Sequence, residues 1–207
     1  MKKILPFALC AALIGCGEVR VVDLDDTREV ENMQHVMELE YRDWTQTAED
    51  MTKSMLASNA FARVKNPVIG IGEIKNDTMQ RFDTDILTKK IRTTLINSGR
   101  AQVSTAFENN DYAEDTSTYA VRAARGDDEY DQSTIVQKGT LVAPNLSLSG
   151  KMIQRNMKLQ SGWFSSIDTR VEYYLQMTLT DIKTGLSVWE DERPIIKEGD
   201  HAQHGKL

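Results

Sequence analysis

Two cysteines and three histidines are the residues of this chain best suited to redox, metal or nucleophilic chemistry. Cys16 closes an apolar run in the stretch Leu13-Ile14-Gly15-Cys16-Gly17, and Cys10 lies inside the same run. A thiol so placed could be a redox group, half of a disulfide or a point of covalent attachment. His35 stands alone, while His201 and His204 sit three apart in a polar tail. That spacing could touch a metal on a helix, but the stretch around it supplies no further ligands, and residues 199–207 read as a disordered terminus. Carboxylates are plentiful, yet Glu190-Asp191-Glu192 reads as a charged strand edge that resists pairing with other chains. The sequence carries no G-x-S-x-G elbow, no Walker loop and no H-E-x-x-H. The expectation is a protein that is not an enzyme, with no cofactor, no metal and no small-molecule substrate.

The cysteine itself points elsewhere. Met1-Lys2-Lys3 is a positive start, and Ile4 to Ile14 is an uncharged apolar run of about eleven residues, the length of a signal-peptide core. A spanning helix needs roughly 20 residues, and Pro6 would interrupt one. The run ends in Leu-Ile-Gly-Cys, which resembles a bacterial lipobox. The resemblance implies a signal over residues 1–15, lipidation of Cys16 through a thioether, and acylation of the new amino terminus. The alternative is an ordinary secretory signal that contains a cysteine. Gly17 rather than Asp after the cysteine implies, by analogy with lipoprotein sorting, an outer-membrane address facing the periplasm. Cleavage would leave Cys16 as the remaining cysteine, with no disulfide partner in the chain.

Such cleavage removes Lys2 and Lys3 and no acid. It takes 25 basic residues to 23 against 31 acidic, and the charge from −6 to −8. An acidic chain of this kind is a poor match for nucleic acid or for anionic lipid surfaces.

The elements that carry the rest of the chain can be read from periodicity. Residues 16–41 form a tether: polar and acidic over 18–32, with no proline from 17 to 41. Trp44, Ala48, Met51 and Met55 follow helical spacing, predicting a helix from about Asp43 to Asn59. Asp43 is placed as its N-cap and Gln46 as its third residue. A single longer helix from about residue 28 is the alternative. Pro67 to Ile74 reads as a buried strand that ends in the turn at Asn76-Asp77-Thr78. Gly70 and Gly72 are not a dinucleotide fingerprint, and a closely packed helix is the expected reason for them. Phe82-Asp83-Thr84 opens a second helix with Ile86, Leu87, Ile91 and Leu95 inward and Gly99 just past its end. Ala101 to Phe107 is a further strand. Residues 108–143 are the least legible, with helices expected near Ser117–Arg125 and Tyr130–Lys138.

The last third is clear: a strand from Asn145 to Leu159, a second alternating from Ile167 to Thr180, and a third from Leu186 to Ile196. Asp181-Ile182-Lys183-Thr184-Gly185 fits the hairpin between the last two, and Trp189 is the last strand's largest apolar side chain. Trp163 and Phe164 fall in the loop between the first two. They are candidate anchors for a protein partner if exposed, or a cap on the core if folded back. The fold class is therefore α/β: a mixed, largely antiparallel sheet of four to five strands with helices on its faces, in one globular domain over residues 42–198.

Several stretches together resemble the LpoB family of outer-membrane activators of penicillin-binding proteins. They are Tyr41-Arg42-Asp43-Trp44, Pro67-Val68-Ile69 with Asn76-Asp77-Thr78, and Leu87 to Gly99. The longest is Tyr173 to Asp181, continuing through Thr184-Gly185 to Trp189. The likeness covers Cys16 and roughly residues 41–197. It implies a periplasmic domain that stimulates a bifunctional, class A penicillin-binding protein by contact with one of its non-catalytic domains. It brings no catalytic residue. It implies that Asp43, Asn76, Thr78, Gly99, Asp181, Thr184, Gly185 and Trp189 are determinants of the fold. The chain departs from well-known members, whose tether is long and proline-rich. About 25 residues reach roughly 80–90 Å fully extended, about 25–30 Å as a coil and about 37 Å as a helix. A structural or assembly lipoprotein of a surface or secretion apparatus is the second expectation, and an envelope hydrolase the third.

Overall fold

From Val171 to Leu179 every second residue is apolar, and a strand turns each of these to one side. The computed structural model, which describes residues 38–62, 64–106, 115–158 and 169–199, places this stretch in β4 (Thr169–Asp181). The other strands are β1 (Val68–Asp77), β2 (Gln102–Val103), β3 (Leu146–Lys158) and β5 (Leu186–Gly199), and the sheet order is β2-β1-β3-β4-β5. β1 runs parallel to β2 and to β3, while β3–β4 and β4–β5 are antiparallel. The α-helices among the described residues are α1 (Tyr41–Ala57), α2 (Thr84–Asn97) and α3 (Ser117–Ala123). The fold is α/β with a mixed sheet of five strands.

One core joins the sheet to α1 and α2. Leu146, Leu148 and Met152 of β3 and Tyr173, Leu175, Met177 and Leu179 of β4 share a cluster with Trp44, Ala48, Met51 and Met55 of α1. Leu87, Ile91 and Leu95 of α2 and Ile69, Ile71 and Ile74 of β1 belong to it as well. Fully burying an aliphatic side chain of this size contributes about 1.5–3 kcal/mol. Both helices therefore pack on the same side of the sheet. β1 meets this side through a bulge: Ile71 pairs with Leu148 but Ile74 with Gly150, one extra residue that returns Ile74 to the core. β5 is an edge strand. It carries Pro194 opposite Tyr174, where the missing N–H costs the ladder little.

Several local expectations are corrected. The first helix begins at Tyr41 with Glu40 as N-cap, and Asp43 is its third residue, so Gln46 plays no capping part. The reason is a reciprocal pair: the Glu40 side chain accepts from the backbone of Asp43, and the Asp43 carboxylate accepts from the Glu40 N–H at 3.0 Å. Ile86 is exposed rather than inward. Leu87, Ile91 and Leu95 repeat every four residues and take the buried seam, which turns Ile86 away. The strand after Gly99 is β2, two residues long within an expected seven. Tyr130–Lys138 is a series of turns, because Asp131 and Gln132 bond nearby backbone and compete with helix formation. The neighbours of Gly70 and Gly72 are Pro144 and the Leu148 carbonyl rather than a helix.

Candidate partner-binding surface

Among the described residues, no three His, Cys, Asp or Glu side chains come together where they could hold a metal. No described helix is long and apolar enough to cross a membrane. The polar residues that the sequence singles out are instead joined in structural networks.

Asn76 and Thr78 build a clasp. The Asn76 Oδ1 accepts from the Thr78 N–H at 3.1 Å and from its hydroxyl at 2.7 Å. Asn76 Nδ2 then donates to the Gln80 carbonyl at 2.9 Å. Gln80, so held, grips the chain where it enters the domain. Its Oε1 accepts from the Leu39 N–H at 2.8 Å and its Nε2 donates to the Leu39 carbonyl at 2.9 Å. Leu39 is buried, so these backbone groups need partners within the protein.

The hairpin after β4 uses the three residues expected of it. Asp181 Oδ1 accepts from the Thr184 N–H at 2.9 Å, and the Asp181 carbonyl accepts from the Gly185 N–H at 2.8 Å. Gly185 has φ +71°, where a side chain is strained. Trp189 is half-buried, packs on the core and lies opposite Leu179. Gly99 has φ +65° and follows the α2 cap residue Ser98, as a left-handed end requires. Near the start of α1, Trp44 stacks on Phe82 at 5.3 Å and meets the edge of Tyr41 at 5.4 Å.

Residues 43–195 match the family described as peptidoglycan-synthase activator LpoB. This chain belongs to the LpoB family. The match runs from the first turn of α1 almost to the end of β5. The chain is also similar to the LpoB C-terminal domain from Escherichia coli, with 15% identity over 74% of this chain and 98% of that one and a TM-score of 0.43. Its likeness to the Salmonella enterica LpoB C-terminal domain has 16% identity, the same coverages and a TM-score of 0.43. A solution structure of E. coli LpoB matches with 15% identity over 93% of this chain and 88% of that one, TM-score 0.41. No curated protein sequence matches the chain.

In this LpoB-family domain, two surfaces away from the core stand out among the described residues. One is the sheet face opposite the helices. There Tyr174 donates to Glu172 at 2.6 Å, Gln176 to Glu192 at 2.5 Å, and Lys151 pairs with Asp77 at 2.7 Å. The Glu172 bond holds the Tyr174 hydroxyl above its usual pKa, since ionisation would set two negative charges together. The other is the stretch from Asp115 to Ala143, in which no residue is buried. Cys16, Trp163 and Phe164 lie outside the described residues. Sequence reasoning missed Gln80, Leu39 and Lys197. Only the closeness of Gln80 to Asn76-Asp77-Thr78 could have flagged the first, and nothing local marks the other two.

Proposed function

We propose that this protein is a lipid-anchored activator that faces the periplasm from the outer membrane and stimulates a class A penicillin-binding protein by direct contact. The observation that carries the reading is the family match across residues 43–195, which takes in both core helices and all five strands. Cys16, in its lipobox-like setting, is the proposed attachment point, and several acyl chains would hold firmly at about 0.8 kcal/mol per buried CH₂. The polar residues of the family motifs serve capping and clasp roles in the domain, and activation by contact needs no reacting group on this chain. Trp163 and Phe164 join the proposed contact residues.

A second reading, a structural or assembly lipoprotein, is favoured by one feature: residues 17–41 have no proline, whereas a proline-rich segment is an extended, semi-rigid spacer. The test is reconstitution. The mature lipidated chain should bind a purified class A penicillin-binding protein and raise its rate of glycan polymerisation. Absence of both binding and stimulation sinks the activator reading, and in-cell crosslinks confined to secretion components would favour the second.

A further inference from the structure

The stretch 115–143 holds a defined shape without a core of its own. Arg125 donates from Nε to the Val136 carbonyl at 2.8 Å and from a terminal nitrogen to Gln137 at 3.1 Å. Arg122 reaches Gln137 and the Thr140 hydroxyl at 3.1 Å. These two side chains clip α3 against residues 136–140. Gln132 donates to the carbonyls of Ala124 and Asp127 and accepts from the Gly126 N–H. Asp131 bonds Ser133 twice, which lowers its carboxyl pKa. Ordering a backbone costs about 1–2 kcal/mol per residue, and in this stretch side-chain-to-backbone bonds, each worth about 0.5–1.5 kcal/mol, offset part of that cost where apolar burial is lacking.

The apolar residues of the same stretch stay outside. Tyr130 is 55% exposed and Val142 66%, and Tyr119, Val121, Val136 and Leu141 are each exposed as well. Six of the exposed large apolar residues among those described fall within this one segment, whereas singly scattered ones would be ordinary surface. Charge selects what covers them. The stretch has five acids against three bases, and two of those bases, Arg122 and Arg125, are turned onto the segment's own backbone. Asp127, Asp128, Glu129 and Asp131 flank Tyr130 directly.

We infer that residues 115–143 are the docking surface for the protein partner, a folded domain whose contact face is apolar with a lysine- or arginine-rich rim. The inference rests on the activator reading and names the surface that reading leaves open. Tyr130 is its anchor, since tyrosine buries a large ring at small conformational cost, and the acids around it speed encounter with the basic rim.

The experiment titrates the mature chain against a purified class A penicillin-binding protein by calorimetry, at low and high salt. Tyr130→Ser with Val142→Ser should weaken binding at least tenfold and leave the thermal transition in place, because neither side chain is in the core. Asp128→Asn with Glu129→Gln should weaken binding at low salt and flatten its salt dependence. Lys183→Ser, at the hairpin tip, should bind as wild type. No binding by wild type overturns the activator reading itself. Binding by wild type that both double variants retain overturns the surface alone. A wild-type dimer in sedimentation that Tyr130→Ser/Val142→Ser dissolves would assign the surface to a second copy and overturn it too. Should the serine pair lower the transition, the asparagine–glutamine pair, on exposed positions, decides by its salt response.

Discussion

The Nζ of Lys197, near the end of β5, lies 2.5 Å from the Asp43 carboxylate in the first turn of α1. Asp43 thus does two things at once: it closes the capping box with Glu40 and ties the helix start to the edge strand. The two functions separate by mutation. Lys197→Met removes the ion pair alone and should cost about 1 kcal/mol or less, as partly exposed pairs do. Asp43→Ala also removes a cap, typically about 1 kcal/mol, and should cost more. Urea unfolding of the two variants checks this, and equal losses would show that the cap contributes nothing.

Gln80→Ala opens the clasp on Leu39. Two hydrogen bonds to part-buried backbone are lost, each worth about 0.5–1.5 kcal/mol. The sharper readout is local: the Leu39 amide should exchange its proton faster while those of β3 and β4 keep their protection. Unchanged exchange at Leu39 would mean the clasp does not hold the chain entry.

Gly150 faces the core between Leu148 and Met152, and a Cβ there would sit 2.9 Å from the Gln176 carbonyl oxygen and 3.6 Å from the Ile74 side chain. Backbone cannot step aside cheaply, so Gly150→Ala should destabilise by about 1–3 kcal/mol. Gly185→Ala meets no neighbour but keeps φ +71°, a strain of about 1–2 kcal/mol. Thermal melts of the two variants test contact strain and backbone strain separately. A Gly150→Ala protein as stable as wild type would refute the close approach.

Glu49 on α1 bridges Lys53 and, across to α2, Lys90, each at 2.7 Å. The hydrogen bonds from Lys53 and Lys90 hold its carboxyl below the usual glutamate range. A lowered folded-state pKa gives stability that is present above the unfolded value of about 4.3 and lost as pH falls through the folded value. Glu49→Gln should therefore be less stable than wild type at neutral pH, with the gap closing on acidification. Denaturant midpoints across a pH series measure it, and a gap independent of pH would contradict the linkage.

Much of the fold is legible in the sequence because strands, helices and tight turns are written in near neighbours. The alternation through β4, the four-residue seam of Leu87, Ile91 and Leu95, and the Asp181–Gly185 turn each depend on residues a few positions apart. The failures have the same root. Asp43 carries the right chemistry for a cap, but Glu40, four residues before the apolar pattern begins at Trp44, is the residue with extended backbone, φ −88° and ψ 156°. Tyr130–Lys138 has helix-length spacing, yet Asp131 and Gln132 satisfy the backbone locally in turns.

By itself, then, the sequence determined the α/β class, the core faces, the lipobox-like start and the motifs that mark the family, all of them carried by short-range pattern. Only the tertiary structure decided that Gln80 grips Leu39 across 41 positions, that Lys197 answers Asp43, and that 115–143 is ordered with its apolar residues outside. Those pairings depend on which surfaces the sheet brings together. No local periodicity encodes that, because residues distant in the chain meet only once the core has closed.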